Sequence, residues 1–273
     1  MFEKRAPRTG LQSAFNILEL IYVSAVRNVR SNHRHAVVGL LINIAQVAIM
    51  VMAFFLMFSV LGLRDSMIRG DFMLFLLSGI FLYMTHIKAV AAAMNSTAPT
   101  NPMLLHAPLN SMILIFASAL SAIYIQLLSI IIILFIYHAA WQPIDIAYWP
   151  GAVGMFILAW FSGFCVGMVF LALKPWLPGL TPILQTFYIR ANMIASGKMF
   201  LANALPGYML AWFDWNPLFH IIDQARGYVF VNYFPHFSSW TYALNVSLVL
   251  LLLGLLGEFY ARRNVSISMN AGR

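Results

Sequence analysis

Charge is what this sequence has least of. Asp, Glu, Lys and Arg make up 9% of its 273 residues, against about 25% in a soluble domain. Hydrophobic residues make up 62% and aromatic ones 15%. A chain this apolar cannot cover itself with polar surface, which excludes a water-soluble enzyme. The same composition excludes intrinsic disorder. A disulfide scaffold is excluded because Cys165 has no second cysteine to pair with. What remains is a polytopic membrane protein.

Acidic residues are scarcer still. There are 8, and none lies well inside an apolar run except Glu258, at the end of the last. A proton- or sodium-coupled carrier usually buries a carboxylate near the midplane, so this scarcity argues against secondary transport. Uphill movement would need energy from another subunit. The sequence has no G-x-x-x-x-G-K-[ST] phosphate loop, and Ser196-Gly197-Lys198 lacks both the upstream glycine and the strand. H-E-x-x-H, C-x-x-C and G-x-S-x-G are missing too, so neither a metal nor a serine-nucleophile reading has motif support. The 7 histidines are scattered, as helix-end or packing residues would be.

The positive charge is present and placed. Lys4, Arg5, Arg8, Arg27, Arg30 and Arg34 precede the first long apolar run, and Arg262, Arg263 and Arg273 follow the last. The net +8 therefore marks cytoplasmic anchors, and no nucleic acid partner is expected. No cleavable signal peptide is apparent.

Stretches of about 20 apolar residues predict six spans: Ala36 to Gly62, Phe72 to Ala93, Met112 to Tyr137, Ala147 to Leu173, Pro182 to Leu205, and Tyr242 to Tyr260. An even number puts both termini on one side, and the terminal arginines make that side the cytoplasm. No internal repeat or linker interrupts the chain, so residues 1–273 form one domain. The expected fold is an all-α polytopic membrane protein.

Three segments outside the spans are informative. Leu11, Phe15, Leu18, Tyr22, Val26 and Val29 recur at helical spacing, which predicts an amphipathic interface helix from Leu11 to Arg30. Its surface serves the headgroups and can also serve a cytoplasmic partner. Between the second and third spans, Pro99, Pro102 and Pro108 break the long helices. Asn101 caps a short helix through Pro102, Met103, Leu104, Leu105 and His106. So apolar a helix either folds back on the membrane or fits another protein's groove. Pro206 to Trp240 is too long and too aromatic for a structureless loop. It predicts short re-entrant helices, one of them from Pro217 to Val231. Within the spans, Arg190 has no carboxylate in its own helix and must face water, a phosphate or another helix. Lys88 and Lys198 lie nearer span ends, where they can snorkel.

These pieces resemble the transmembrane permease subunits of bacterial ABC exporters for capsule, O-antigen and teichoic acid polysaccharides. Trp215-Asn216-Pro217-Leu218-Phe219-His220-Ile221-Ile222-Asp223, followed by Arg226, is similar to that family's W-N-P-L-x-H signature with its acidic and basic residues. Arg190, Ile194-Ala195-Ser196-Gly197, Met199-Phe200 and Leu205-Pro206 are similar to the block of its fifth span. Leu105 to Asn110 occupies the place of the coupling segment, and Arg27-Asn28-Val29-Arg30 precedes the first span as the family's basic helix does. There are departures. The first span keeps only Gly39 and neighbouring leucines of a longer pattern. Lys198 stands where an apolar residue is usual, and the coupling segment lacks its common lysine.

The resemblance implies a single exporter transmembrane domain in the bacterial inner membrane, working as a homodimer on two ATP-binding cassette subunits. Those subunits carry the ATP and Mg; this chain needs no cofactor of its own. A lipid-linked glycan passes between the two copies. Pro99, Asn101, Pro102, Met103, Leu104, Leu105, His106 and Pro108 become the coupling segment. Trp215, Asn216, Pro217, His220, Asp223 and Arg226 become the outer re-entrant cap. Tyr83, Lys88, Tyr124, Gln126, Tyr188 and Arg190 are the pathway candidates, because aromatic faces suit sugar C–H surfaces and cations suit phosphate. The alternative is an ABC permease for a small lipid or drug.

Overall fold

The computed structural model describes residues 10–31, 36–62, 71–96 and 111–271. Among these residues there is no strand. The α-helices are α1 (Gly10–Ser31), α2 (Ala36–Val60), α3 (Phe72–Asn95), α4 (Ser111–Ala140), α5 (Trp149–Leu173), α6 (Leu180–Ala195), α7 (Gly207–Leu210), α8 (Pro217–Val229) and α9 (Trp240–Ala271). Five stretches are long and apolar enough to cross a membrane: Val37–Val60, Phe72–Asn95, Ser111–Ala140, Trp149–Leu173 and Trp240–Ala261.

These five correspond to five of the six expected spans. The sixth expectation differs. Pro182 to Leu205 was expected to be a continuous span, but α6 stops at Ala195 after 16 residues. At 1.5 Å per residue that is about 24 Å, short of a hydrocarbon core of about 30 Å. Gly197 ends it. Its φ of +71° lies in the left-handed region, where glycine serves as the residue after a helix C-cap. The chain then runs irregularly through a 3₁₀ turn at Ala202–Ala204. The expected short helix at 101–106 lies outside the described residues.

The apolar helices divide by burial. About four-fifths of α3's apolar window is buried and 72% of α5's, whereas α2, α4 and α9 each bury 22%. Every residue of α3 from Leu74 to His86 is buried, the mark of a helix apolar all round. α5 packs along α3 on one side and α9 on the other; α8 inserts among all three. The α3–α5 contact is close because Gly163 and Gly167 sit one turn apart on α5. A Cβ on Gly163 would strike the His86 carbonyl oxygen, and one on Gly167 would come 2.6 Å from that of Val90. Small residues spaced by four let membrane helices approach this closely.

α1 packs on α4 and more lightly on α2. Phe15, Leu18 and Tyr22 of its apolar stripe are exposed, while Ser24 is buried and Ile21, Ala25 and Asn28 are half-buried. The helix thus leaves Phe15, Leu18 and Tyr22 of its apolar stripe uncovered, while Val26 and Val29 are half-buried.

Candidate functional site

The most elaborate polar structure in the molecule is built by α8 and the turn that follows α6. Asn216 starts α8. Its Oδ1 accepts from the Leu218 amide at 3.1 Å, and Pro217 follows at the position where a missing N–H costs nothing. The Asn216 amide nitrogen reaches back to α6, donating to Asn192 Oδ1 and to the Ala195 carbonyl, both at 2.9 Å. One side chain therefore caps one helix and ties down the end of another.

Arg226, three turns along α8, is fully buried. It donates through Nη1 to the carbonyls of Gly197 at 2.8 Å and Phe200 at 2.6 Å, and through Nη2 to that of Lys198 at 2.6 Å. Its guanidinium carbon lies 4.1 Å from the centre of the Phe75 ring. Irregular backbone is tolerated inside a packed apolar bundle only where protein satisfies its polar groups, and this arginine does so for the 197–200 turn. Gly79 of α3 makes the room. A Cβ there would lie 2.9 Å from Arg226 Nη2 and 3.0 Å from the Lys198 Cα.

The remaining signature residues also turn inward. Asp223 accepts from Tyr233 Oη at 2.5 Å and from Ser238 Oγ at 2.7 Å. The Ser239 amide donates to His220 Nδ1 at 3.1 Å, which leaves the proton on Nε2. Nε2 then donates to the Asp214 carbonyl at 2.6 Å. Asn216, Pro217, His220, Asp223 and Arg226 are all buried; Trp215 is exposed. The expected cap residues are thus brought together by the fold. Their hydrogen bonds, however, go to the chain itself: they hold the 196–205 segment and the 230–239 loop against α8.

The pathway candidates are scattered over several surroundings. Tyr83 is buried and donates to the Ile189 carbonyl at 3.1 Å. Tyr188 Oη lies 2.8 Å from Nε2 of the buried His86. These two contacts fasten α6 to α3. Lys88 donates to Gln46 Oε1 at 2.5 Å, between α3 and α2. Gln126 is buried between α4 and α2, its Oε1 accepting from Asn43 Nδ2 at 3.0 Å. Asn43 also donates to Ser129 Oγ at 2.8 Å, and such bonds hold membrane helices together. Tyr124 is exposed. Arg190 is exposed on α6 beside Ile183, Phe187 and Ile194, and makes no hydrogen bond or ion pair to the described residues. The coupling candidates Pro99 to Pro108 lie outside the described residues.

Lys198 departs from expectation most. Rather than snorkelling, it is 1% exposed. Its Nζ lies 3.5 Å from the centre of the Tyr83 ring and 5.1 Å from that of Phe54, and it has no hydrogen-bond partner. A desolvated cation–π contact contributes about 2 kcal/mol, less than the several kcal/mol that burying an ammonium costs. Sequence position alone hides this, because its burial depends on Tyr83 and Phe54, both far away in the chain. Among the described residues no group of His, Cys, Asp and Glu is arranged to hold a metal.

No protein-family model matches this chain, and no curated protein matches it.

Proposed function

We propose that this protein is the permease subunit of an ATP-driven ABC exporter that moves a lipid-linked polysaccharide across the bacterial inner membrane, as a homodimer on two ATP-binding cassette subunits. The observation that carries this reading is α8 with its signature. Within Trp215 to Arg226, the stretch of strongest resemblance, a short buried helix starts at Pro217, and Asn216 and Arg226 hold the irregular segment after α6 in place. In this reading α6 and the 196–205 turn together make the fifth crossing, broken at Gly197. Broken crossings of this kind line the pathways of transporters.

The scarcity of acids and the missing phosphate loop support an external energy source. The short apolar stretch Met103-Leu104-Leu105 supports docking on a partner that supplies it.

The test is reconstitution. The purified chain alone should hydrolyse no ATP. With a co-purifying ATP-binding cassette subunit in proteoliposomes, it should carry lipid-linked glycan to the opposite leaflet only when ATP is present. ATPase activity from the chain alone would contradict the reading. Equal transport of short-chain lipids without a glycan would favour the small-lipid permease instead.

A further inference from the structure

The fold gives the Lys198 ammonium ring contacts but no hydrogen-bond partner. Arg226 holds the 197–200 turn through main-chain carbonyls, that of Lys198 among them. The Lys198 side chain itself only fills space over Tyr83 and beside Phe54. A methionine would fill that space without desolvating a charge. Ser196 Oγ, on the same turn, is likewise buried without a hydrogen-bond partner. Polar groups the fold leaves without hydrogen-bond partners at buried positions call for an explanation outside the fold.

Tyr83 connects this amine to α6. Its ring lies under Nζ, and its hydroxyl donates to the Ile189 carbonyl. α6 packs only lightly on α3 and α5. Among the described residues its side-chain hydrogen bonds to the rest of the bundle are those of Tyr83, His86 with Tyr188, and Asn216, and Phe170 of α5 packs edge-on against Tyr188. It ends at Ala195, just before the Gly197 turn that Arg226 holds to α8. A shift of α6 that breaks the Tyr83–Ile189 bond frees the ring that covers the amine. The amine belongs to the same 180–205 segment that exposes Arg190. No acidic residue lies between Leu180 and Leu205 to neutralise either cation.

We propose that Lys198 is a sequestered anion contact, covered by Tyr83 and Phe54 in this conformation and presented with Arg190 to a membrane phosphate group when α6 shifts. Phosphate fits because it accepts several charge-assisted hydrogen bonds at once. The inference rests on the export reading for its view of α6 as part of the pathway. The diphosphate of a lipid-linked substrate and the headgroup of an anionic phospholipid share this chemistry.

The experiment measures binding of a polyprenyl diphosphate, and separately of phosphatidylglycerol, to the full chain in phosphatidylcholine nanodiscs. Thermal unfolding is followed beside it. Lys198→Met should unfold no earlier than the wild type yet bind the diphosphate roughly tenfold more weakly, the size of a lost charged hydrogen bond. Lys198→Arg should stay within about threefold of wild type, since it keeps the charge. Weakening for the diphosphate alone upholds the contact and assigns it to a carrier. Weakening for both lipids upholds it and assigns it to phosphate headgroups generally. Unchanged binding in Lys198→Met, wild type that binds neither lipid, or a melting temperature that falls together with the affinity overturns it. Failure of the export reading itself would appear instead as the lack of a co-purifying ATPase, with these affinities unaffected.

Discussion

The Arg226 guanidinium bonds to three main-chain carbonyls inside the bundle, whereas Arg190 is exposed and makes no hydrogen bond or ion pair to the described residues. The same residue type therefore has two roles here, and substitution should separate them. Arg226→Met removes the donors and leaves the Lys198 and Phe200 carbonyls unpaired, each costing about 1–3 kcal/mol, while the Gly197 carbonyl keeps the Phe200 amide. It should lower stability by about 3–5 kcal/mol, seen as reduced membrane abundance and earlier thermal unfolding in detergent. Arg226→Lys restores one charge but cannot span the three carbonyls, so it should fall between. Arg190→Ala should leave abundance at the wild-type level and abolish most export, and Arg190→Lys should retain part of it. A neighbour's Asp223 is not presented to Arg190, because it is buried and accepts from Tyr233 and Ser238 of its own chain. If Arg190→Ala lowers abundance before export, or leaves surface glycan normal, its pathway role is wrong.

Among the elements, the apolar stretch between α3 and α4 carries the clearest prediction. Replacing Met103 and Leu104 with aspartate should leave insertion intact but release the ATPase partner, since an unpaired charge buried in the partner's groove costs several kcal/mol. Co-purification and export unchanged in the double variant would remove this segment from the docking surface. The long helices could be read from sequence because twenty-residue apolar runs admit few other structures in a membrane. α8 could be read because Asp214 before Pro217-Leu218 and the apolar pattern after it signal a helix start; the residue that caps it is Asn216, and it ends at Val229 rather than Val231. The end of α6 was misplaced for an instructive reason. Hydropathy continues past Ala195 through Met199, Phe200 and Leu201, but the backbone turns at Gly197. The turn is held by Arg226, almost thirty residues away. The burial of Lys198 was hidden by the same kind of distance, since Phe54 and Tyr83 come from α2 and α3. Local signals mark where helices begin; only long-range contacts show which irregular stretches the interior can satisfy.

At the scale of the whole molecule, the exposed surfaces are not equivalent. α9 presents Leu248, Val249, Leu252, Leu253 and Leu256 outward, a face suited to hydrocarbon. α6 presents Ile183, Phe187 and Ile194 around Arg190. A guanidinium directed into lipid costs at least about 2.5–3.5 kcal/mol near the centre of a span, and α6 has no acid to offset it. The α6 face is therefore expected to meet water, in a pathway between two copies, while the α9 face meets lipid. Cysteine accessibility distinguishes the two surfaces without requiring transport. The native Cys165 is fully buried, so it contributes little background reaction. In intact proteoliposomes, Arg190→Cys should react readily with a charged, membrane-impermeant thiol reagent, and Leu252→Cys should react only with a lipid-soluble one. Adding the ATPase partner with a non-hydrolysable nucleotide should change the rate at position 190 and leave position 252 unaffected. If both cysteines respond only to the lipid-soluble reagent, α6 faces the bilayer, and a route between subunits along that helix does not exist.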